Sequence, residues 1–314
     1  MNLILNGRYN VTVAIALIVI ILPFLLSSTF HLRMATMVII FSVVVIGLNL
    51  LMGYAGQVSL GHAGFLALGA YAAAFGPAHL GLNPWISMAL GILATSAIAY
   101  LIGKPILKLK GYHLAMATLA FGIVVALVLN NELNWTGGPD GMGVKRANLA
   151  ILGLTHVQSW YAISSAVLVL AILLVQNLLN SSTGRALRSI HDSEVASNVL
   201  GIDVTRQKLV AFVLSAALAA AAGSCLAQLD GHVTPATGSI LKSIELLTMA
   251  VIGGLGSLVG SIVGAAFLVL MPQFLTAFHE YEHAMLGVML IFTMIVMRNG
   301  IVPSLTTLLR RKVQ

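Results

Sequence analysis

Charge is scarce in this chain. Of its 314 residues only 16 are Lys or Arg and nine are Asp or Glu, while 59% are hydrophobic. Water-soluble domains carry roughly 25% charged residues, so this composition excludes a soluble catalytic or binding domain of ordinary size. A single cysteine, Cys225, excludes an internal disulfide and a cysteine-based metal cluster. Its setting, AAAAGSCLAQL, is that of a small packing residue in a helix. No G-x-x-x-x-G-K-[ST] phosphate loop occurs, since the lone Gly103-Lys104 pair runs into Pro105 and lacks the upstream glycine. The net charge of +7 belongs to bases scattered at the ends of apolar runs, which fits membrane-insertion signals better than nucleic-acid binding.

What remains is apolar length. The mean hydropathy is +1.00, and a helix needs about 20 apolar residues to cross hydrocarbon. Runs of that kind predict helices at 11–28, 34–52, 61–80, 84–103, 111–130, 157–180, 209–229, 240–256, 257–277 and 284–297. The fold class expected is all-α: one polytopic transmembrane bundle over 1–314 with about 10 spans, or eight if the Gly-rich 240–277 stretch is broken or re-entrant. The run after Arg8 lacks a small-residue cleavage site after Leu26 and is taken as a retained first span. With both termini cytoplasmic, twelve of the 16 bases fall inside, and Arg33, Lys145, Arg146 and Lys242 fall outside or near that edge. The positive-inside rule favours that orientation.

One segment breaks the pattern. GRALRSIHDSEVASNVLGIDVTRQK, at 184–208, holds four bases and three acids and must stand in water. It predicts two short helices and a turn: Thr183 caps the first, Ser193 the second with Glu194 at its positive end, Gly201 supplies a left-handed terminus, and Asp203 caps the next long helix. Val195, Val199 and Leu200 form an apolar stripe beside Ala196, suited to a groove in another protein. A solvated linker is the plain alternative, but a linker needs neither 25 residues nor a stripe.

VASNVLG, at 195–201, resembles the EAA-x-x-x-G loop of ABC importer permeases, with Glu194 one position further from the Ala-Ser pair than that pattern has. The whole chain resembles the permease subunits of the branched-chain amino-acid importers, in particular the second, LivM-type subunit. The resemblance rests on GLNLLMGYAGQVSLGHAGFLALGAY (47–71), LKGYHLAMATLAFG (109–122), TGGPDGMGV (136–144), the run ending LVAFVLSAALAAAAG (to 223) and SIELLTMAVIGGLGSLVGSIVGA (243–265). It implies an inner (plasma) membrane importer of two different permease subunits, two ATPases that bind the ATP, and an external solute-binding protein, with no cofactor on this chain. It assigns ATPase coupling to Gly184, Arg185, Arg188, Asp192, Glu194, Ala196, Ser197, Gly201 and Asp203. Thr136, Gly137, Gly138 and Asp140 it places on the outer face, before the binding protein. Leucine, isoleucine and valine are the implied cargo, with urea or short amides as the alternative within the family.

Other constellations carry two readings. Gln57, Ser59 and His62, polar and uncharged among five glycines, form either a conduit suited to a zwitterion or a helix–helix network. Glu245, the one acid well within an apolar run, has Lys242 three residues earlier. It is either half of an interfacial ion pair or a transport residue. A secondary transporter or channel would be expected to carry an intramembrane charge pair, and Glu245 is the only candidate acid. The basic tail at 298–314 suits contact with lipid headgroups. HEYEH, at 279–283, matches the H-E-x-x-H zinc-protease signature, yet no His, Asp, Glu or Cys follows it to supply a third ligand. His279→Ala is therefore expected to leave solute uptake in whole cells unchanged, whereas abolished uptake with metal lost from the purified protein would establish a metal site.

Overall fold

The structure, a computed structural model, describes residues 2–26, 28–147, 155–275, 287 and 300–304. The HEYEH motif and almost all of the expected last span and basic tail lie outside the described residues. Among the described residues the principal α-helices follow one another as α1 Asn2–Leu25, α2 Thr29–Asn49, α3 His62–His79, α4 Pro84–Ile106, α5 Tyr112–Asn131, α6 Leu133–Thr136, α7 His156–Asn180, α8 Ser182–Asp192, α9 Glu194–Val199, α10 Val204–Asp230, α11 Ile240–Gly253 and α12 Leu258–Leu275. A π-helical turn, Leu50–Tyr54, extends α2. Two-residue strands β1 Met142–Gly143 and β2 His232–Val233 pair antiparallel, Met142 opposite Val233. The all-α membrane bundle is thus observed.

Among the described residues five helices are long and apolar enough to cross a membrane: Thr29–Tyr54, Pro84–Ile106, Tyr112–Asn131, His156–Asn180 and Val204–Asp230. Of the other expected spans, those at 61–80, 240–256 and 257–277 correspond to helices of 18, 14 and 18 residues. The stretch expected at 240–277 is divided by a turn at 254–257, where Gly254 and Gly256 have φ of 112° and 76°.

The helices sort by which faces they bury. α2 and α10 run through the centre, and every residue of α2 from Ile39 to Asn49 is buried. Peripheral helices bury a single stripe: Gly91, Thr95, Ala99 and Gly103 on α4, and Leu114, Thr118, Gly122, Val125 and Leu129 on α5. The α4 stripe repeats every fourth residue in small side chains, which let backbones approach where lipid and protein are equally apolar. α3 and α10 approach closely. A Cβ on Gly69 would fall on the Ala220 carbonyl, and one on Gly223 on the Leu66 carbonyl. Ser224 Oγ donates across this contact to the Gly69 carbonyl at 3.0 Å.

Gly223→Val is expected to force these two backbones apart and destabilise the protein by about 1–3 kcal/mol, the usual range for an overpacked core. Thermal unfolding in detergent should show it, and Gly143→Ala, with open space around the added methyl, is the unaffected control.

Candidate functional site

α10 orders the functional surfaces. Its 27 residues span about 40 Å at 1.5 Å each, from the charged elbow at its start to the turn-rich loop at its end.

At the elbow, α8 is anchored by Gly184, Leu187 and Ile190, all buried, leaving Arg185, Arg188 and Asp192 exposed. The helix starts at Ser182 after an N-cap position at Ser181, so the expected cap Thr183 lies in the first turn instead. Ser193 caps α9 as expected, accepting from the Ala196 N–H at 3.2 Å, and Asp203 caps α10, accepting from the Arg206 N–H at 3.0 Å. α9 ends in a Schellman motif: the Ile202 N–H donates to the Ser197 carbonyl and the Gly201 N–H to the Asn198 carbonyl, both at 3.0 Å, with Gly201 at φ 81°. The motif leaves Val195, Val199 and Leu200 at 70%, 83% and 75% exposure, with Ala196 also exposed. Ser197 faces the other way. It is fully buried and shares a 2.9 Å hydrogen bond with Ser189 of α8, so Val199 rather than Ser197 is the position from which a cross-linker reaches outward.

Sequence reasoning missed the tie that fixes this peg to the bundle. Lys208 of α10 is 3% exposed and its ammonium pairs with the Glu194 carboxylate at the head of α9. A buried ammonium without its partner is strongly destabilised, so α9 cannot move far without taking α10 with it.

In the interior, the chain leaves α2 through the π turn and continues non-helically over 55–61, where Ala55, Gln57, Ser59 and Gly61 are buried. Gly56 lies against His191 of α8, placing the start of this segment at the elbow end. His62 opens α3 and bonds Ser215 Oγ through Nε2 at 2.6 Å. Ser215 lies eleven residues into α10, so α3 begins about 16 Å along it, in mid-bundle. From the opposite end, the 3-10 turn Pro235–Gly238 dips back until Gly238 meets Ala67, and α11 starts there. The two re-entrant stretches come together where the Ala63 N–H donates to Ser243 Oγ at 3.3 Å.

The sequence-predicted trio divides here. Ser59 Oγ bonds His62 Nδ1 at 3.2 Å, so these two share a network with Ser215. The Gln57 carboxamide is buried and has no hydrogen-bond partner among the described residues. Thr118 of α5 accepts from the Leu60 N–H at 3.1 Å, and the amide of Asn49 donates to the Gly254 and Ser257 carbonyls and to Ser261 Oγ while accepting from the Gly256 N–H. Asn49, Thr118, Ser215 and Ser243 were not singled out from sequence. Asn49 had the clearest signal, an amide inside a long apolar run.

At the far end of α10, Gly137, Gly138 and Gly141 all have positive φ, and Thr136 Oγ1 donates to the Leu129 carbonyl at 2.7 Å. Strand β1 and the bond between His232 Nε2 and the Asp140 carbonyl, 2.8 Å, hold this loop against the chain leaving α10. Asp140 is exposed, while Gly138 is buried. Glu245 is indeed paired with Lys242, Oε2 to Nζ at 2.9 Å, and the same ammonium lies over the Phe41 ring at 4.2 Å. Among the described residues no group of three or more His, Cys, Asp or Glu is arranged to hold a metal ion.

A helical membrane bundle broken at mid-depth, with an exposed amphipathic peg locked to a central helix at one end, defines a transport permease. Residues 30–294 match the family described as branched-chain amino acid transport system / permease component, and the chain belongs to it. It is 32% identical to the high-affinity branched-chain amino acid transport system permease protein LivM of Salmonella typhimurium, over 95% of this chain and 76% of that protein. Against LivM of Escherichia coli the identity is 32% over 96% of this chain and 76% of that protein. Against the permease protein LivH of Escherichia coli it is 25%, over 83% and 90%. No solved structure matches. The chain is thus a multi-pass permease subunit of the ABC importer class, resident in the inner membrane.

Glu194→Ala is expected to strand Lys208 and loosen α9, costing on the order of 2–3 kcal/mol locally. Limited trypsin digestion of the purified protein should then cut faster at Arg185, Arg188 and Arg206, and the charge-swapped pair Glu194→Lys with Lys208→Glu should recover part of the protection. Equal cleavage of Glu194→Ala and the parent protein would show that the pair does not hold the elbow.

Proposed function

We propose that this chain is one of two different permease subunits of an importer that carries branched-chain amino acids inward, with ATP bound and hydrolysed by two separate ATPase subunits. The chain itself catalyses no reaction in this reading, and it forms a single domain over 1–314 with about ten crossings and both termini cytoplasmic. The observation that carries the reading is the outward-facing Val195, Val199 and Leu200, presented by a helix tied through Glu194 to Lys208. Three large apolar side chains held in water at a charged surface need a partner's groove. The family and the LivM and LivH similarities support an ATPase as that partner, a homologous second permease beside this one, and the solute class.

The contacts along α10 support a route for the stroke. Closure of the ATPases displaces α9, Lys208 passes the motion to α10, and α10 carries Ser215, which bonds His62 at the head of α3. A tilt of α10 therefore reaches the mid-depth break directly, where the starts of α3 and α11 meet. Helix N-termini there accommodate a carboxylate, and Gln57, Ser59 and His62 supply polarity without fixed charge for a zwitterion to pass. Glu245, bound to Lys242, serves as an interfacial pair. The loop bearing Thr136, Gly137, Gly138 and Asp140, at the other end of α10, receives an external solute-binding protein, which makes the main choice of solute.

Ala196→Arg places a cation in the docking face without touching the bundle. The variant is expected to reach the membrane at normal levels and to lose at least about tenfold in ATP-driven leucine uptake in proteoliposomes, a penalty of roughly 1.4 kcal/mol in docking. Gly201→Pro, which cannot hold the positive φ that ends α9, should behave alike. Undiminished ATP-driven uptake by both variants would remove the docking role.

A further inference from the structure

A groove of about 790 Å³ lies between α4, α7 and α10 at the end of the bundle that carries α8 and α9. Its walls are Leu178, Leu209, Val210, Val213, Leu214 and Ala217. Its mouth is different: Lys104, Arg206, Thr205 and Tyr100 surround it, with Asp203 beside them. From Arg206 to Ala217 the groove follows eleven residues of α10, about 16 Å, close to the roughly 15 Å of one leaflet's hydrocarbon. Apolar depth with a cationic rim at one end is the outline of a single lipid molecule.

We propose that this groove is a binding site for an anionic phospholipid, its phosphodiester between Lys104 and Arg206 and an acyl chain along α10. The charges at the mouth favour a net negative headgroup. The Arg206 guanidinium forms no ion pair among the described residues. Lys104 is held over the Tyr100 ring, 4.3 Å from its centroid, which points the ammonium along the α4 surface while leaving its donors for a phosphate. The opposing acid, Asp203, already spends Oδ1 on the Arg206 backbone N–H as the cap of α10. Lys108 and Lys110, exposed in the turn after α4, add to the positive field at this level. A free phosphate satisfies the rim but leaves the apolar walls bare, and a zwitterionic lipid gains less from two cations than an anionic one.

The site also has a mechanical consequence. Gly103 of α4 packs against Leu209 and Phe212 of α10, so the bound lipid bridges the end of α4 to the start of the helix that carries Lys208. It would brace the elbow against α4 while leaving the opposite end of α10 untouched.

The test is native mass spectrometry of the full-length protein in detergent, titrated with dioleoyl phosphatidylglycerol or dioleoyl phosphatidylcholine. The expected result is tighter binding of the phosphatidylglycerol. Each interfacial cation is worth about fivefold in lipid binding, so Lys104→Ala with Arg206→Ala should lower phosphatidylglycerol binding by roughly 25-fold. Ala217→Trp, which fills the groove without altering charge, should reduce binding of the same lipid in a protein that still unfolds at the parent temperature. Equal binding of the two lipids by the parent protein, or unchanged phosphatidylglycerol binding in both the charge and the groove variants, would overturn the assignment. So would efficient cross-linking of Val210→Cys to the second permease subunit in the assembled importer, which would mean that protein covers the groove.

Discussion

Within hydrocarbon every backbone N–H and C=O needs a partner inside the protein, at several kcal/mol for each one left bare. The molecule depends on how it meets that demand where its helices stop. The turn after α11 is satisfied by one side chain, Asn49, which uses both ends of its amide on Gly254, Gly256 and Ser257 and reaches Ser261 as well. Tyr54 adds a bond to the Gly256 carbonyl at 2.5 Å. The segment before α3 is held by Thr118 and Ser59, and the first turn of α3 by Ser243. Asn49, Thr118 and Ser243 come from three different helices, α2, α5 and α11, so the breaks knit the bundle together while interrupting it.

That arrangement explains why breaks and function coincide. Two chain segments entering from opposite ends and meeting at Ala63 and Ser243 give a membrane domain a polar middle, in which the charges of Lys242 and Glu245 beside Ser243 are paired with each other. Glu194 pairs with Lys208 at the elbow and Arg33 with Asp230 at the other end, while Lys242 and Glu245 pair with each other on either side of Ser243 in α11. The exposed Arg33–Asp230 pair contributes little. Lys208 differs, because its burial turns a surface contact into a constraint on how α9 and α10 move together.

Much of the elbow was legible in the sequence. Ser193, Gly201 and Asp203 stand where capping chemistry wants them, and capping is local, decided within four residues of chain. Thr183 was misplaced by two positions because a run of Ser-Ser-Thr offers several equivalent caps. The interior network was only half legible. Gln57, Ser59 and His62 stand out as polar residues among glycines, but Ser215, which bonds His62, and Thr118 and Ser243, which bond the neighbouring Leu60 and Ala63 amides, are ordinary serines and threonines in apolar helices, indistinguishable from those that bond their own preceding turn, as Ser42 and Ser96 do.

Hydropathy alone determined that this is an all-α membrane protein, since the bilayer sets helix length and forbids loose backbone whatever the neighbours are. Local chemistry determined that a capped amphipathic peg stands in water at one end. Only the tertiary structure decided which faces touch, because lipid and protein are equally apolar and a buried stripe such as Gly91, Thr95, Ala99 and Gly103 differs from its surroundings in size, not in hydrophobicity. It also decided that α3 and α11 start in mid-bundle and that Lys208 reaches Glu194. Such contacts join residues far apart in the chain, and their geometry exists only once the helices have packed.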